Sequence, residues 1–201
     1  MVIDFHTHIL PKSFQKKHHI LSRKDRTFSE LFSRNSSRIV TAEELIDSMD
    51  LNQIAKSVVL GYGWCDLEIA KEANNYLLEA AQKFPERLIP FCSVNPEWGD
   101  KGLDEIDRCV SGGAKGIGEI HASTQGIDLT TSLKLDNLMT FAIANRLPLL
   151  IHGSEPVGHS YPGKGYTNPA ILLKFIDRFP SATIICAHWG GGLPFYGLMP
   201  E

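Results

Sequence analysis

Apolar residues recur along the chain in two alternating patterns: short unbroken runs, and longer stretches with helical spacing. Runs without polar interruption are typical of parallel strands that are covered on both faces. The short runs predict six strands, the first opening on Val2 and Ile3 and the others lying at 56–60, 88–94, 114–120, 149–152 and 183–188.

Helix signals lie between these runs. A capping box opens at Thr41, Asp66 can cap a second helix, and Asn168 precedes a proline at the favoured first helical position. A further helix begins at Thr131 or Ser132. The alternation of strand and helix predicts an α/β protein with a parallel sheet or barrel.

Polar residues at the predicted strand ends favour a barrel over an open sheet. The C-terminal ends of strands one, four, five and six carry His6 and His8, Glu119, His152, and His188. In a (β/α)8 barrel all of those ends open onto one face, where catalytic groups collect. An open doubly wound sheet would show a glycine fingerprint after the first strand, and the sequence has none there. We therefore expect a TIM-barrel-like fold.

Two histidines at positions i and i+2, His6 and His8, are the first candidate chemistry. Strand residues two apart share a face, so both imidazoles can point at one ion. Zinc and its neighbours favour neutral imidazole nitrogen. The pair predicts a metal site, with the alternative that an isolated pair has no ligand role.

Two segments that follow these strand ends are candidates for pocket walls. Residues 11–40 form a polar insertion after the histidine pair, which predicts a lid or pocket wall, with a surface excursion as the alternative. The Gly/Pro-rich loop 153–165 leaves the fifth strand at the same face, which predicts that it shapes substrate specificity. The alternative is a structured surface loop. The predicted substrate-binding residues are Glu155, His159, Tyr161 and Lys164 in this loop, and Trp189, which directly precedes three glycines after the sixth strand.

Composition narrows the class of protein. The 201 residues are 43% hydrophobic and 21% charged, with a formal net charge of -3, which predicts one globular domain over residues 1–201. Scattered Lys and Arg predict neither nucleic acid nor membrane as a partner, and no apolar run has the length of a membrane span. Because no signal-peptide pattern precedes the first strand, we expect a cytoplasmic protein with four reduced cysteines.

Four motifs occur in order at the first, fourth, fifth and sixth strands: Asp4-Phe5-His6-Thr7-His8, Lys115-Gly116-Ile117-Gly118-Glu119-Ile120, Leu150-Ile151-His152-Gly153 and Ala187-His188-Trp189-Gly190-Gly191. Together they resemble the amidohydrolase superfamily, and within it the amidohydrolase-2 or ACMSD-like group of metal-dependent TIM-barrel hydrolases and decarboxylases. Each motif alone is a weak signal, and the ordered set is a strong one.

The resemblance implies roles for the matching residues. His6, His8 and His152 are expected to bind a divalent metal, usually zinc (Zn2+), and His188 to activate metal-bound water or handle protons. Glu119 matches a position that carries a metal-ligating carboxylate in some branches of the family, and it is a further candidate ligand.

One departure from the family pattern concerns the C-terminal part of the barrel. The pattern ends with a metal-ligating aspartate after the eighth strand, whereas this chain ends at Leu198-Met199-Pro200-Glu201. Six predicted strands indicate a barrel that lacks its last two βα units, the usual size being ~250 residues. Since bare strand edges invite pairing, we expect either that another chain, such as a second copy, closes the gap or that the sequence is a fragment of a longer product.

Three functions remain open on the sequence. The preferred one is a metal-dependent hydrolase, in which metal-activated water attacks an amide, ester or lactone-type bond of a small molecule. The second is nonoxidative decarboxylation or hydration of a small carboxylic acid on the same site. The third is a catalytically inactive fragment. A PHP-type phosphoesterase, which also opens with His-x-His, is a minor alternative.

Overall fold

The computed structural model describes residues 1–32 and 37–199. Within these residues it contains one six-stranded sheet, in which every strand is parallel to its neighbours and the spatial order follows the chain order. The strands are β1 Ile3–His8, β2 Lys56–Leu60, β3 Leu88–Cys92, β4 Gly116–Ile120, β5 Leu149–Ile151 and β6 Ile184–Cys186. The predicted parallel arrangement of six βα units is confirmed.

Helices connect the strands and begin where the sequence supplies capping groups. Thr41 and Glu44 form the predicted capping box, Asp66 accepts hydrogen bonds from two helical amides, and Asn168 caps a helix that opens on Pro169. The helices are α1 Ser13–Lys16, α2 His18–Lys24, α3 Arg26–Leu31, α4 Ala42–Leu51, α5 Leu67–Lys83, α6 Asp100–Ser111, α7 Ala122–Gln125, α8 Leu133–Ala144 and α9 Pro169–Arg178.

The two faces of the curled sheet bury different apolar side chains. On the outer face, Ile117 of β4 shares a core with Ile106 of α6 and with other helical residues. On the inner face, Leu60 and Phe91 belong to a smaller cluster. β1 and β6 are the two edges of the sheet, and Phe5 of β1 stays 48% exposed while its ring meets that of Phe91 edge to face. The sheet is therefore a half-barrel whose interior is open on one side.

The insertion after β1 has a small aromatic core of its own. Phe14, Phe28 and Phe32 are buried together with Trp64, which comes from the segment after β2. Asp25 is buried as well, and its carboxylate accepts hydrogen bonds from one amide of the insertion and from two amides after β2. Within the predicted 11–40 insertion, residues 33–36 lie outside the described residues. The rest is a packed wall, and its role as a lid stays a prediction.

The last strand is shorter than the predicted run 183–188, because the backbone leaves the extended conformation at its end. β6 stops at Cys186, and the chain continues through a turn at Ala187–Gly190 into one helical turn at Leu193–Tyr196. All four cysteines are free thiols, as predicted. None of the helices in the described part of the chain is long and apolar enough to cross a membrane.

Candidate metal centre

Side chains from β1 and β4 meet at the C-terminal end of the sheet. His6 Nε2 and His8 Nε2 are 2.9 Å apart, and Glu119 Oε2 lies 3.3 Å from the first and 3.2 Å from the second. The pairing of β1 with β2 is irregular between Asp4 and Thr7, where His6 lies. Each of the three residues thus offers one ligand atom to a common point.

The ends of β5 and β6 bring two more histidines to the same carboxylate. His152 Nδ1 lies 2.9 Å from Glu119 Oε1. The ring of His188 lies 4.7 Å from that of His152 and 5.0 Å from that of His6, measured between centroids. Glu119 and His152 are buried, whereas His188 is exposed. The structure therefore brings together all five residues that the sequence places at strand ends, with Glu119 between the two pairs of histidines.

Glu119 is an ionised carboxylate among imidazole rings. Its burial opposes ionisation, but the facing rings of His152, His6 and His8 outweigh burial and hold the pKa of Glu119 well below its ordinary value. Partial desolvation of its ring lowers the pKa of His188, which favours the neutral form at pH 7. A buried negative charge of this kind requires a compensating positive charge.

The outer nitrogens of three rings fix which nitrogen faces inward. Each lies 3.1 to 3.3 Å from a backbone carbonyl oxygen: His8 Nδ1 from Leu60, His152 Nε2 from Lys164, and His188 Nδ1 from Gly153. A carbonyl oxygen only accepts, so in a neutral ring the outer nitrogen carries the proton and the inner nitrogen presents a lone pair. The inner nitrogens of His6, His8 and His152 face the Glu119 carboxylate, which only accepts, so each of these contacts needs either a proton or a cation between nitrogen and oxygen. The donor set therefore fits a divalent metal with nitrogen and oxygen ligands.

His188 reaches this site from a left-handed turn. Residues 188–192 all have positive φ, including 54° at His188 and 55° at Trp189. This conformation costs about 1 kcal/mol or more for a residue with a side chain, so packing must hold it. A Cβ atom at Gly191 would collide with the carbonyl of Ser154, which shows how closely the turns after β5 and β6 approach. That approach fixes His188 beside the site and leaves Trp189 77% exposed.

The candidate substrate-binding residues of loop 153–165 contact one another. Lys164 Nζ donates hydrogen bonds to the carbonyl oxygens of Val157 and His159, at 2.8 and 3.2 Å, and lies 3.4 Å from Glu155 Oε1. The Tyr161 hydroxyl donates to Glu155 at 3.2 Å. The Lys164 ammonium is therefore engaged within its own loop, while the His159 and Tyr161 side chains remain exposed.

Two residues outside the predicted site lie against its histidines. Tyr62 stacks on His8, with ring centroids 4.1 Å apart and planes 12° apart, and burial raises the pKa of its hydroxyl. His121 stacks on His152 at 4.0 Å and 18°, and burial lowers its pKa. The expectation that His121 faces away from Glu119 is wrong, because residues two apart on a strand share a face, and the His121 ring lies on the same side as His152. Both residues lie just after a strand end, close to where the predicted site residues lie, and this position is the sequence signal that could have identified them.

A family model described as Amidohydrolase matches residues 3–200. The chain belongs to the amidohydrolase family. Membership confirms the resemblance carried by the four motifs, and it supports a metal-dependent enzyme that acts on a small molecule. No curated protein matches this amidohydrolase.

Solved structures share its fold at low sequence identity. The 5-carboxyvanillate decarboxylase of Novosphingobium aromaticivorans, with bound manganese, has a TM-score of 0.76 and 23% identity over 98% of this chain and 68% of that one. The 2,6-dihydroxybenzoate decarboxylase of Rhizobium has a TM-score of 0.66 and 17% identity over 96% and 68%. The 4-oxalomesaconate hydratase of Rhodopseudomonas palustris has a TM-score of 0.67 and 18% identity over 98% and 66%.

The extent of these matches confirms the predicted fold class. The amidohydrolase chain is covered almost entirely, yet it spans about two thirds of each solved structure. Its six parallel strands are therefore an incomplete TIM-barrel-like fold, as the sequence predicts.

Proposed function

We propose that this amidohydrolase is a metal-dependent hydrolase of a small molecule, with zinc as its metal. His6, His8, Glu119 and His152 would hold the ion, and His188 would be the catalytic base. The observation that supports this assignment is the convergence of imidazole nitrogens on one buried, ionised carboxylate at the strand ends. That donor set is typical of zinc.

The protein's own contribution to the reaction is the placement of His188. When bound, zinc supplies Lewis acidity, which polarises a carbonyl group and makes water more acidic. His188 Nδ1 donates to the carbonyl of Gly153 at 3.1 Å, so Nε2 carries the lone pair. Its lowered pKa keeps the ring neutral near pH 7, which is the form that a general base needs. Because its side chain is exposed, His188 can pass a proton on to solvent.

Substrate contacts are assigned to exposed residues around His188. The Trp189 side chain is exposed beside it and suits an apolar part of a substrate. His159 and Tyr161 remain candidates in the loop after β5. Glu155 and Lys164 lie 3.4 Å apart, and we assign them the role of holding that loop.

Zinc binding and a substrate panel test the proposal. The wild-type chain is expected to bind zinc and to hydrolyse a member of a panel of lactones, esters and amides. His188→Asn should keep zinc and lose about 10²- to 10⁴-fold in kcat, the usual contribution of a general base. His19→Asn, at an exposed histidine of α2, is the matched control and should keep both properties. Wild-type protein without zinc would contradict the proposal and support an inactive fragment.

Nonoxidative decarboxylation is the second candidate function, and two of the solved neighbours favour it because they are decarboxylases. Replacing a carboxyl group by hydrogen requires a proton donor, whereas we assign His188 the role of a neutral base, so we place hydrolysis first. Carbon dioxide release from hydroxylated aromatic acids is the measurement. Carbon dioxide release without hydrolysis of any panel member would assign decarboxylation as the reaction and would still support the metal site.

A further inference from the structure

We infer that His121 is a positioning residue that holds His152 in the orientation and tautomer required for metal binding. This inference rests on the proposed metal site. His121 lies one residue past β4 and is 3% exposed. Its ring covers one face of His152, with centroids 4.0 Å apart and planes 18° apart. An aromatic ring in this place restricts rotation of the ligand ring.

Backbone groups occupy both nitrogens of the His121 ring. Nε2 lies 2.9 Å from the carbonyl oxygen of Gly163, so Nε2 carries the proton. The amide of Thr124 donates toward Nδ1 at 3.4 Å, so Nδ1 presents the lone pair. With both nitrogens engaged, His121 has no free donor for the metal site. It acts through its neighbours.

The hydrogen bond to Gly163 also places the carbonyl group that His152 needs. The next residue, Lys164, has its carbonyl oxygen 3.1 Å from His152 Nε2. At Gly165, where φ is +68°, an added Cβ atom would lie 3.1 Å from His121 Cε1 and 2.6 Å from Ser123 Oγ. Residues 163–165 therefore run along the Nε2–Cε1 edge of the His121 ring, and its hydrogen bond to Gly163, together with the Ser154 hydroxyl that donates to the Lys164 carbonyl, positions that carbonyl.

His121 thus controls His152 from two sides. Its ring face limits rotation, and its Nε2–H holds the segment whose carbonyl accepts the proton of His152 Nε2. With the Nε2 proton held outward, Nδ1, which lies 2.9 Å from Glu119 Oε1, is the nitrogen left to bind the metal. Outer residues that fix the tautomer of a ligating histidine typically change metal affinity ~10–100-fold.

Two substitutions test this role through metal binding. His121→Phe keeps an aromatic ring against His152 and removes the hydrogen bond to Gly163, whereas His121→Asn removes both contacts. The measurements are the zinc dissociation constant, from competition with a chromophoric chelator, and the visible spectrum of the cobalt-substituted protein. We expect ~10-fold weaker zinc binding for His121→Phe, a larger loss for His121→Asn, and a changed cobalt spectrum in both.

A stability control separates positioning from simple core packing. Ile106→Ala truncates a fully buried side chain of α6 and should lower Tm while leaving zinc affinity and the cobalt spectrum unchanged. If the His121 variants lower Tm alone, the inference is overturned although wild-type zinc binding still supports the metal site. If His121→Phe does not fold, His121→Asn decides by the same criterion. A wild-type chain that binds no zinc would contradict the proposed function itself.

Discussion

The segments that follow β1 and β5 both border the candidate metal site, but different forces hold them. Residues 11–32 bury aromatic side chains against Trp64, whereas residues 155–161 are held by hydrogen bonds among polar groups of their own loop. Phe28 in the first segment is fully buried, and Tyr161 in the second is 44% exposed. The wall beside β1 is therefore part of the core, while the exposed middle of the wall beside β5 can change at little cost to the rest of the fold.

Among substitutions in the two segments, truncation of Phe28 should cause the largest loss of stability. Its ring meets those of Phe14, Phe32 and Trp64, so Phe28→Ala leaves a cavity between the insertion and the segment after β2. We expect a loss of ~3–5 kcal/mol in the free energy of unfolding, measured with urea. Tyr161→Ala is the control on the other wall and should cost ~0.5 kcal/mol or less. Equal losses in the two variants would refute the contrast.

Asp25→Asn tests the polar link between the insertion and the segment after β2. The carboxylate accepts three backbone hydrogen bonds, and an asparagine amide nitrogen cannot accept its share of them. We expect a loss of ~1–3 kcal/mol in urea unfolding. Asp104→Asn, on the exposed side of α6, is the control and should change nothing measurable. A stability equal to wild type would show that the carboxylate does not fasten the two segments.

Lys164→Met should cost the least of the three, ~1 kcal/mol or less in the free energy of unfolding, because water can replace the ammonium at the exposed loop carbonyls. The effect should also depend on pH. The Glu155 backbone amide, and then Lys164, lower the pKa of the Glu155 carboxyl from 4.5. A lowered folded pKa stabilises the protein above the unfolded value, and that stabilisation is lost as pH falls through the folded pKa. The difference between Lys164→Met and wild type should therefore shrink below about pH 4.5, and a constant difference would count against the Glu155 contact.

The strands and most helix starts could be predicted because their signals are local. Apolar runs identify β2 to β5, and side-chain caps identify α4, α5 and α9. The packing of the insertion could not be predicted from the sequence, because Phe14, Phe28 and Phe32 are dispersed in a polar stretch. Their partner, Trp64, lies outside that stretch. Long-range burial therefore decides the structure of that segment.

The site could be predicted as far as the strand geometry extends. His6, His8, Glu119 and His152 converge because the C-terminal ends of parallel strands meet at one edge. Beyond the strand ends, alternation no longer applies. Left-handed φ at His188 depends on packing between the turns after β5 and β6, which the sequence pattern does not encode.

Zinc titration of the wild-type chain and of Glu119→Gln tests the central claim most directly. Glutamine keeps the shape of the side chain and removes the charge on which the histidines converge. We expect that the wild type binds zinc and that Glu119→Gln binds it more than ~100-fold less tightly, a larger loss than removal of an outer residue causes. Glu86→Gln, at an exposed glutamate, should bind as the wild type does. Equal zinc affinity of Glu119→Gln and wild type would contradict a metal site centred on Glu119.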